Sequence, residues 1–298
     1  MVYLIDASVY IFRAWFSVPD DMTDAQGNPT NALYGFTKFL ADFLEYEAPE
    51  QIAVAFDESL AQSYRNEIYP AYKANRDPAP PELDRQFKQC RRMARALGLR
   101  EAASDLYEAD DIIGTLAIDA RSHGVPCTIV SRDKDLTQLL SPSDTFWDFA
   151  GNRKLGYHDV PETFGVFPEQ IADLLALAGD SVDNIPGVPG VGRKTAAALL
   201  GHFGSLDVLY ANLDQVENVK VRGASKLAAR LQEHRDMAMI CRDLTVIPTD
   251  VPLAFDATDL HRQKPDLGLL NVLCDEAGFG PQFRRQGERL CDLVAELG

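Results

Sequence analysis

Strands alternating with helices, followed by helices alone, predict an α/β protein with a mainly parallel sheet and a second, all-helical subdomain. Three observations carry this prediction. Short apolar, β-prone runs recur at "VYLID" (2–6), "IAVAFD" (52–57) and "CTIVSRD" (127–133), each ending in an acid. Between them lie segments of helical period, "GFTKFLADFLEY" (35–46), "PELDRQFKQCRRMARALG" (81–98) and "ADDIIGTLAIDARSHG" (109–124). From about residue 168 the strand signals stop, and helices joined by Gly/Pro turns take over.

Parallel strands need long crossover connections, which the helical segments supply. The carboxyl ends of such strands share one rim, and the ligand crevice lies beyond it. Asp6, Asp57 and Asp133 therefore gather at that rim, with Asp135 two residues further on. "FWDFAGNRKLGYHDV" (146–160) reads as a short hairpin closing the α/β part. "PEQIADLLALAG", "KTAAALLGHFG" and "ASKLAARLQEHRDMAMICRDL" then read as helices. The predicted division is an α/β domain over 1–166, a helical subdomain over 167–260, and a C-terminal helical segment over 261–298 with no assigned role.

Composition bounds the function. The 298 residues are 46% hydrophobic and 25% charged, the balance of a soluble globular protein with a large core. No apolar stretch approaches the roughly 18–20 residues that span a bilayer. "MVYLIDASVY" has no basic start, which argues against a signal peptide. Cys90, Cys127, Cys241, Cys274 and Cys291 are odd in number and lack CxxC spacing, so they read as reduced thiols in the cytoplasm. The net charge of −16, from 29 basic and 45 acidic residues, argues against a polyanionic partner unless some acids are reserved for metal ions.

"YEADDIIGTLA" (107–117) sets Glu108, Asp110 and Asp111 ahead of an apolar helix. Alone, this would pass as an acidic first turn favoured by the helix dipole. It is joined by Asp133 and Asp135 in "RDKD" and by Asp180 and Asp183 in "GDSVDNIPG". With Asp6 and Asp57 these make nine candidate carboxylates in five segments. All-oxygen ligation selects hard cations, Mg²⁺ or Mn²⁺. Two ions about 4 Å apart use such a set economically and suit in-line phosphoryl displacement. On this reading the local Lys and Arg serve the substrate, and removing an acid at 108–111 relieves repulsion in the metal-free protein.

The substrate is addressed by "IPGVPGVGRKTAAALLGHFG" (185–204), where Gly190 and Gly192 open a helix beginning Arg193, Lys194, Thr195. Glycines let the backbone approach closely and the helix N-terminus faces an anion, as in a helix–hairpin–helix unit gripping duplex phosphates. "VKVRGASKLAARL" (219–231) extends the basic track through Lys220, Arg222, Lys226 and Arg230. After Asp57, Tyr64, Arg65, Tyr69, Tyr72, Lys73 and Arg76 interleave aromatics for stacking on unpaired bases with cations for phosphates.

The blocks "FDESLAQSYRNEIYPAYKANR", "YEADDIIGTLA", "SRDKDLTQLL" and "LLALAGDSVDNIPGVPGVGRKTAAALL" resemble signature blocks of the bacterial 5′→3′ exonuclease/flap endonuclease family. That family includes the N-terminal exonuclease domain of DNA polymerase I, and the likeness runs from residue 2 to about 255. The resemblance implies a PIN-like catalytic domain, a helical arch at about 58–83 and a helix-three-turn-helix duplex clamp. It also implies hydrolysis of DNA 5′ ends and 5′ flaps with two Mg²⁺ or Mn²⁺ ions. Asp6, Asp57, Glu108, Asp110 and Asp111 match one metal site, and Asp133, Asp135, Asp180 and Asp183 the other. Tyr72, Lys73 and Arg76 match the arch, with Lys73, Arg76 and Asp111 expected to be catalytic and Arg65 to contact DNA.

Ala7 stands where the family usually has Gly, and Phe16 where His is common; neither removes a metal ligand. No polymerase follows residue 298, so the chain reads as a stand-alone nuclease or an excised domain. The expected partners are flapped, nicked or 5′-ended DNA, and a DNA polymerase and ligase in replication and repair. A monomer, without membrane attachment, is expected. Two other classes stay open: a weakly catalytic flap-binding relative, against which the acids weigh, and a PIN-type ribonuclease or phosphatase, against which the duplex-gripping hairpin weighs.

Overall fold

The computed structural model describes residues 1–58 and 63–297; residues 59–62, inside the expected arch, lie outside the described residues. The chain opens with β1 (Val2–Asp6), runs directly into α1 (Ala7–Ser17), and continues through α2 (Asn31–Glu47) to β2 (Gln51–Asp57). A single-turn helix, α3 (Arg65–Ile68), precedes α4 (Pro81–Ala96), β3 (Arg100–Ser104), α5 (Ala109–Ser122) and β4 (Cys127–Val130). β5 (Thr145–Asp148) and β6 (Arg153–Gly156) form the expected hairpin. The sheet order is β3-β2-β1-β4-β5-β6, parallel except for the β5–β6 pair. β1 and β2 are almost continuously apolar because both faces of the sheet centre are covered.

Among the elements absent from the sequence reading are β3 and α1. β3 is "REAAS", which has no apolar run; it lies at the sheet edge, and pairing with β2 supplies what propensity does not. α1 buries Ala7, Tyr10, Ile11 and Ala14, an i, i+3, i+4, i+7 stripe capped by Asp6. The strand-ending acid and the helix cap are one residue, so the two signals overlap. In the segment expected to form the arch, the only helix among the described residues between Asp57 and Pro81 is α3, and turns carry the chain through Arg76.

After α6 (Val160–Phe164) the chain is helical: α7 (Ile171–Ala178), α8 (Arg193–Phe203), α9 (Leu206–Ala211), α10 (Ala224–Glu233) and α11 (Arg235–Thr245). α7 packs on α8 and α11, and this group shares a core with α5 and one sheet face. The opposite face is covered by α1, α2 and α4 together with α12 (Leu267–Glu276) and α13 (Gln282–Leu297). The C-terminal segment thus completes the first domain's second layer. Phe279 and Phe283 meet the Tyr34 ring at 5.6 and 5.3 Å between centroids. Its lead-in is stitched to the start of β2, with Ile52 N donating to Leu260 O and Arg262 N to Glu50 O, both at 2.8 Å. Among the described residues no helix is long and apolar enough to cross a membrane, and all five cysteines are free.

Candidate active site

The site is assembled at the carboxyl ends of the strands. β1 ends in Asp6, whose Oδ2 accepts from Ser131 Oγ at 2.7 Å, just beyond β4. β2 ends in Asp57, whose Oδ1 accepts from Ala109 N at 2.8 Å, joining this strand to the first turn of α5. The Ser131 hydroxyl also accepts from Asp133 N at 2.9 Å, and Asp133 Oδ1 accepts from Asp135 N at 2.9 Å. The loop after α7 is pinched by reciprocal bonds between Asp180 and Ile185, at 2.8 and 2.7 Å, and presents Asp183. Asp6, Asp57, Glu108, Asp110, Asp133, Asp135 and Asp183 line one cavity of about 220 Å³.

Electrostatics divides these acids. Burial first, then the charge of Asp57, pushes Asp6 up to about 7 despite the Ser131 bond. Burial and the neighbouring Asp133, Asp180 and Asp183 push Asp135 up to about 8. Asp110 is raised well above the carboxylate range by burial and by Asp133, Asp6 and Asp57, and burial also raises Asp133. Among the described residues no cation pairs with these four.

Glu108 differs. Lys73 Nζ donates to its Oε1 at 2.8 Å, and Tyr72 Oη to its Oε2 at 3.2 Å. Burial would raise the Glu108 value, but Lys73 and Arg65 hold it below the ordinary one. Asp183 accepts from Arg76 at 2.5 Å. The backbone locks the same contact: Lys73, at a left-handed φ of 55°, donates N–H to Asp183 O at 3.0 Å. Asn75 Nδ2 reaches Ser181 O at 2.9 Å, and Asn184 Nδ2 reaches Ala71 O at 2.6 Å.

Several expectations are corrected here. Asp111 was expected to bind metal and act in catalysis; its side chain is fully buried, does not line the cavity, and takes two hydrogen bonds from Arg65. Arg65 was expected to touch DNA, but its side chain is 3% exposed and bonded to protein groups, Asp111 above all, where it lines the cavity wall. Tyr72 is buried among protein groups, so its ring has no open face for a base. Lys73 and Arg76, assigned to the substrate, also neutralise acids. Asp180 is turned from the cavity, its Oδ1 accepting from Val182 N at 2.7 Å. As placed, no three acids among the described residues form a metal-holding group. Glu108 and Asp183 are drawn to cations, and uncompensated carboxylates repel one another.

Ser131, behind the cavity, and Gln138 and Phe12, which line it, are among the site residues not singled out from sequence. Ser131 bridges Asp6 and Asp133, and its one signal was a hydroxyl directly after a strand. Gln138 donates to Thr245 O at 3.0 Å and accepts from Ile247 N at 3.0 Å, tying the cavity to the end of α11. Phe12 lines the wall from α1.

In the helical subdomain, Gly190 has φ 75°, and a Cβ there would lie 2.5 Å from Arg230 Nη1. The two basic tracks are therefore neighbours. Gly192 precedes α8, where Arg193 and Lys194 are exposed and Thr195 half-buried. Lys220, Arg222 and Lys226 are exposed beside them along the chain.

Two family models match the chain: the 5′-3′ exonuclease N-terminal resolvase-like domain over residues 1–165, and the 5′-3′ exonuclease C-terminal SAM fold over 166–268. The chain belongs to the 5′-3′ exonuclease family. DNA polymerase I of Bacillus caldotenax is 39% identical over 284 residues, covering 93% of this chain and 31% of that protein. DNA polymerase I of Pseudomonas aeruginosa is 40% identical over 277 residues, covering 93% and 30%. The chain therefore spans about a third of the length of these relatives. Among solved structures, the zinc-bound 5′-exonuclease of bacteriophage T5 has a TM-score of 0.67 at 20% identity, covering 98% of this chain and 99% of that one. The catalytic core of Rad2 in complex with DNA substrate has a TM-score of 0.64 at 15% identity, covering 98% and 91%. These likenesses describe a shared α/β fold.

Proposed function

We propose that this chain is a divalent-metal-dependent nuclease that hydrolyses phosphodiester bonds at DNA 5′ ends and 5′ flaps. The observation that carries the reading is the cavity of seven carboxylates, four of them raised by burial and mutual repulsion and lacking a cation. An all-oxygen donor set of excess negative charge fits Mg²⁺ or Mn²⁺. Asp6, Asp57, Asp110, Asp133 and Asp135 would hold the ions, joined by Glu108 and Asp183 as Lys73 and Arg76 turn to the substrate. Two bound ions would supply positive charge to the attacking and departing oxygens.

The remaining work falls to the chain's own residues. Lys73 and Arg76 contact the scissile phosphate and stabilise its developing charge. Gly190, Gly192, Arg193, Lys194 and Thr195 hold the duplex backbone away from the cut, and Lys220, Arg222 and Lys226 extend that track. The polymerase I relatives support a role beside polymerase and ligase in replication or repair. A 5′-labelled flap duplex incubated with Mg²⁺, with Mn²⁺ and with EDTA tests the reading. Cleavage near the junction, abolished by EDTA, is expected. Flap binding without cleavage across both titrations would make the protein a clamp, and preferential cutting of RNA would make it a ribonuclease.

A further inference from the structure

Arg65 and Asp111 form a charged pair to which the proposed function gives no role, although Arg65 lines the cavity wall and Asp111 lies behind it. Their side chains are 3% and 0% exposed. The pairing is bidentate: Nη1 donates to Oδ2 at 2.9 Å and Nη2 to Oδ1 at 2.7 Å. Burial alone would lower the Arg65 value, but the hydrogen bonds and charge of Asp111 raise it, so the guanidinium stays protonated.

The pair joins three elements. Arg65 belongs to α3, at the base of the segment carrying Lys73 and Arg76. Its Nε donates to Leu244 O at 2.8 Å, in the last turn of α11. Nη1 also reaches Glu108 Oε2 at 3.4 Å. Asp111 Oδ2 accepts from Glu108 N at 2.9 Å, closing a capping box at the start of α5. One side of the pair thus fixes the Glu108 backbone and the other bears on its carboxylate. Apolar residues of similar volume often serve stability as well as a buried ion pair does. What they cannot supply is this direction to Glu108.

We propose that Arg65 and Asp111 are a positioning pair that aims the Glu108 carboxylate into the cavity and ties it to α11. The inference rests on the metal-dependent nuclease reading and assigns these two residues no contact with metal or DNA. Its test uses the full chain carrying Arg65→Met with Asp111→Leu, and separately Arg65→Lys, which keeps the charge but loses the fork. Mn²⁺ affinity is read by calorimetry without DNA, Mg²⁺ dependence by single-turnover flap cleavage, and flap affinity in EDTA.

Both variants should bind Mn²⁺ roughly 10–100-fold more weakly, the scale for groups that orient metal ligands. The Mg²⁺ half-saturation point should rise in parallel, with flap affinity unchanged. Adding Glu108→Gln should cost the wild type Mn²⁺ affinity but cost the altered pairs little, because the pair acts through Glu108. If the apolar pair fails to fold, Arg65→Lys alone decides. Wild-type Mn²⁺ affinity in a folded variant, or full additivity with Glu108→Gln, would overturn the proposal. Wild-type protein that binds Mn²⁺ but never cuts removes only the nuclease reading and leaves the Mn²⁺ comparison to decide. Wild-type protein that binds no Mn²⁺ overturns both.

Discussion

The acids at the sheet rim fall into two groups. Glu108 and Asp183, with Asp111 behind them, are matched by Lys73, Arg76 and Arg65. Asp6, Asp110, Asp133 and Asp135 face one another with no paired cation among the described residues. The matched group holds loops in place, joining the turns at 71–76 to the loop at 181–184 and α5 to α11. On the proposed reading, the unmatched group is where positive charge from outside the chain would bind. Acidity alone therefore does not sort these carboxylates; the partner of each one does.

The comparison breaks hardest at Asp111. Asp111→Asn leaves Arg65 charged and unpaired in the interior, and should destabilise the metal-free protein by roughly 3–5 kcal/mol. This reverses the sequence expectation that losing an acid at 108–111 relieves repulsion. Asp110→Asn, on the unmatched side, should instead raise the melting temperature in EDTA while abolishing most cleavage. Thermal melts of the two variants side by side test the division, and a fall for both would erase it.

Lys73→Ala should slow single-turnover cleavage by roughly 10²-fold, the usual scale for removing one donor to developing charge. Since Lys73 also occupies Glu108, the same variant should bind Mn²⁺ no more weakly than wild type. Weakened Mn²⁺ binding together with unchanged turnover would put Lys73 entirely on the structural side.

A pH series sharpens the unmatched group. Asp6 and Asp135 titrate at about 7 and 8 in the fold, against about 4 in an unfolded chain. Between those values the folded state holds protons that the unfolded state has released. Stability in EDTA should therefore fall as pH rises from about 5 to 8. Mn²⁺ should restore more stability at pH 8 than at pH 5.5, because protons compete with the ion. Melting temperatures insensitive to pH in EDTA would count against an uncompensated cluster.

The smallest effect is expected far from the cavity. Lys194→Ala should weaken duplex binding alike for every sequence and lower the salt slope by about one. A sequence-dependent loss would remove Lys194 from the phosphate track.

Much of this was legible in the chain. β1 and β2 are apolar runs buried on both faces, and their terminal acids lie at the rim because parallel strands end together. What was hidden depended on distance along the chain. The Arg65–Asp111 pair joins residues 46 apart, and no periodicity reports whether a carboxylate turns toward a cavity or an arginine. Tyr72 and Lys73 are adjacent in sequence, yet Tyr72 is buried and Lys73 is partly open to the cavity. Turn geometry, set by contacts with residues 181–184, decided between them.

The packing of α12 and α13 on α1 and α2 bears on how the molecule is made. β1, α1, α2 and β2 are synthesised before α12 and α13, yet Leu270, Leu273, Phe279, Phe283 and Leu290 cover part of their apolar face. Until those residues leave the ribosome, Phe36, Phe43 and Leu44 belong to an unfinished surface. Domains generally fold from the N-terminus during translation, but here the layer built on α1 and α2 is completed only when residues 270–290 have been made. The interval is a window in which chaperones, and neighbouring nascent chains, meet an exposed aromatic face.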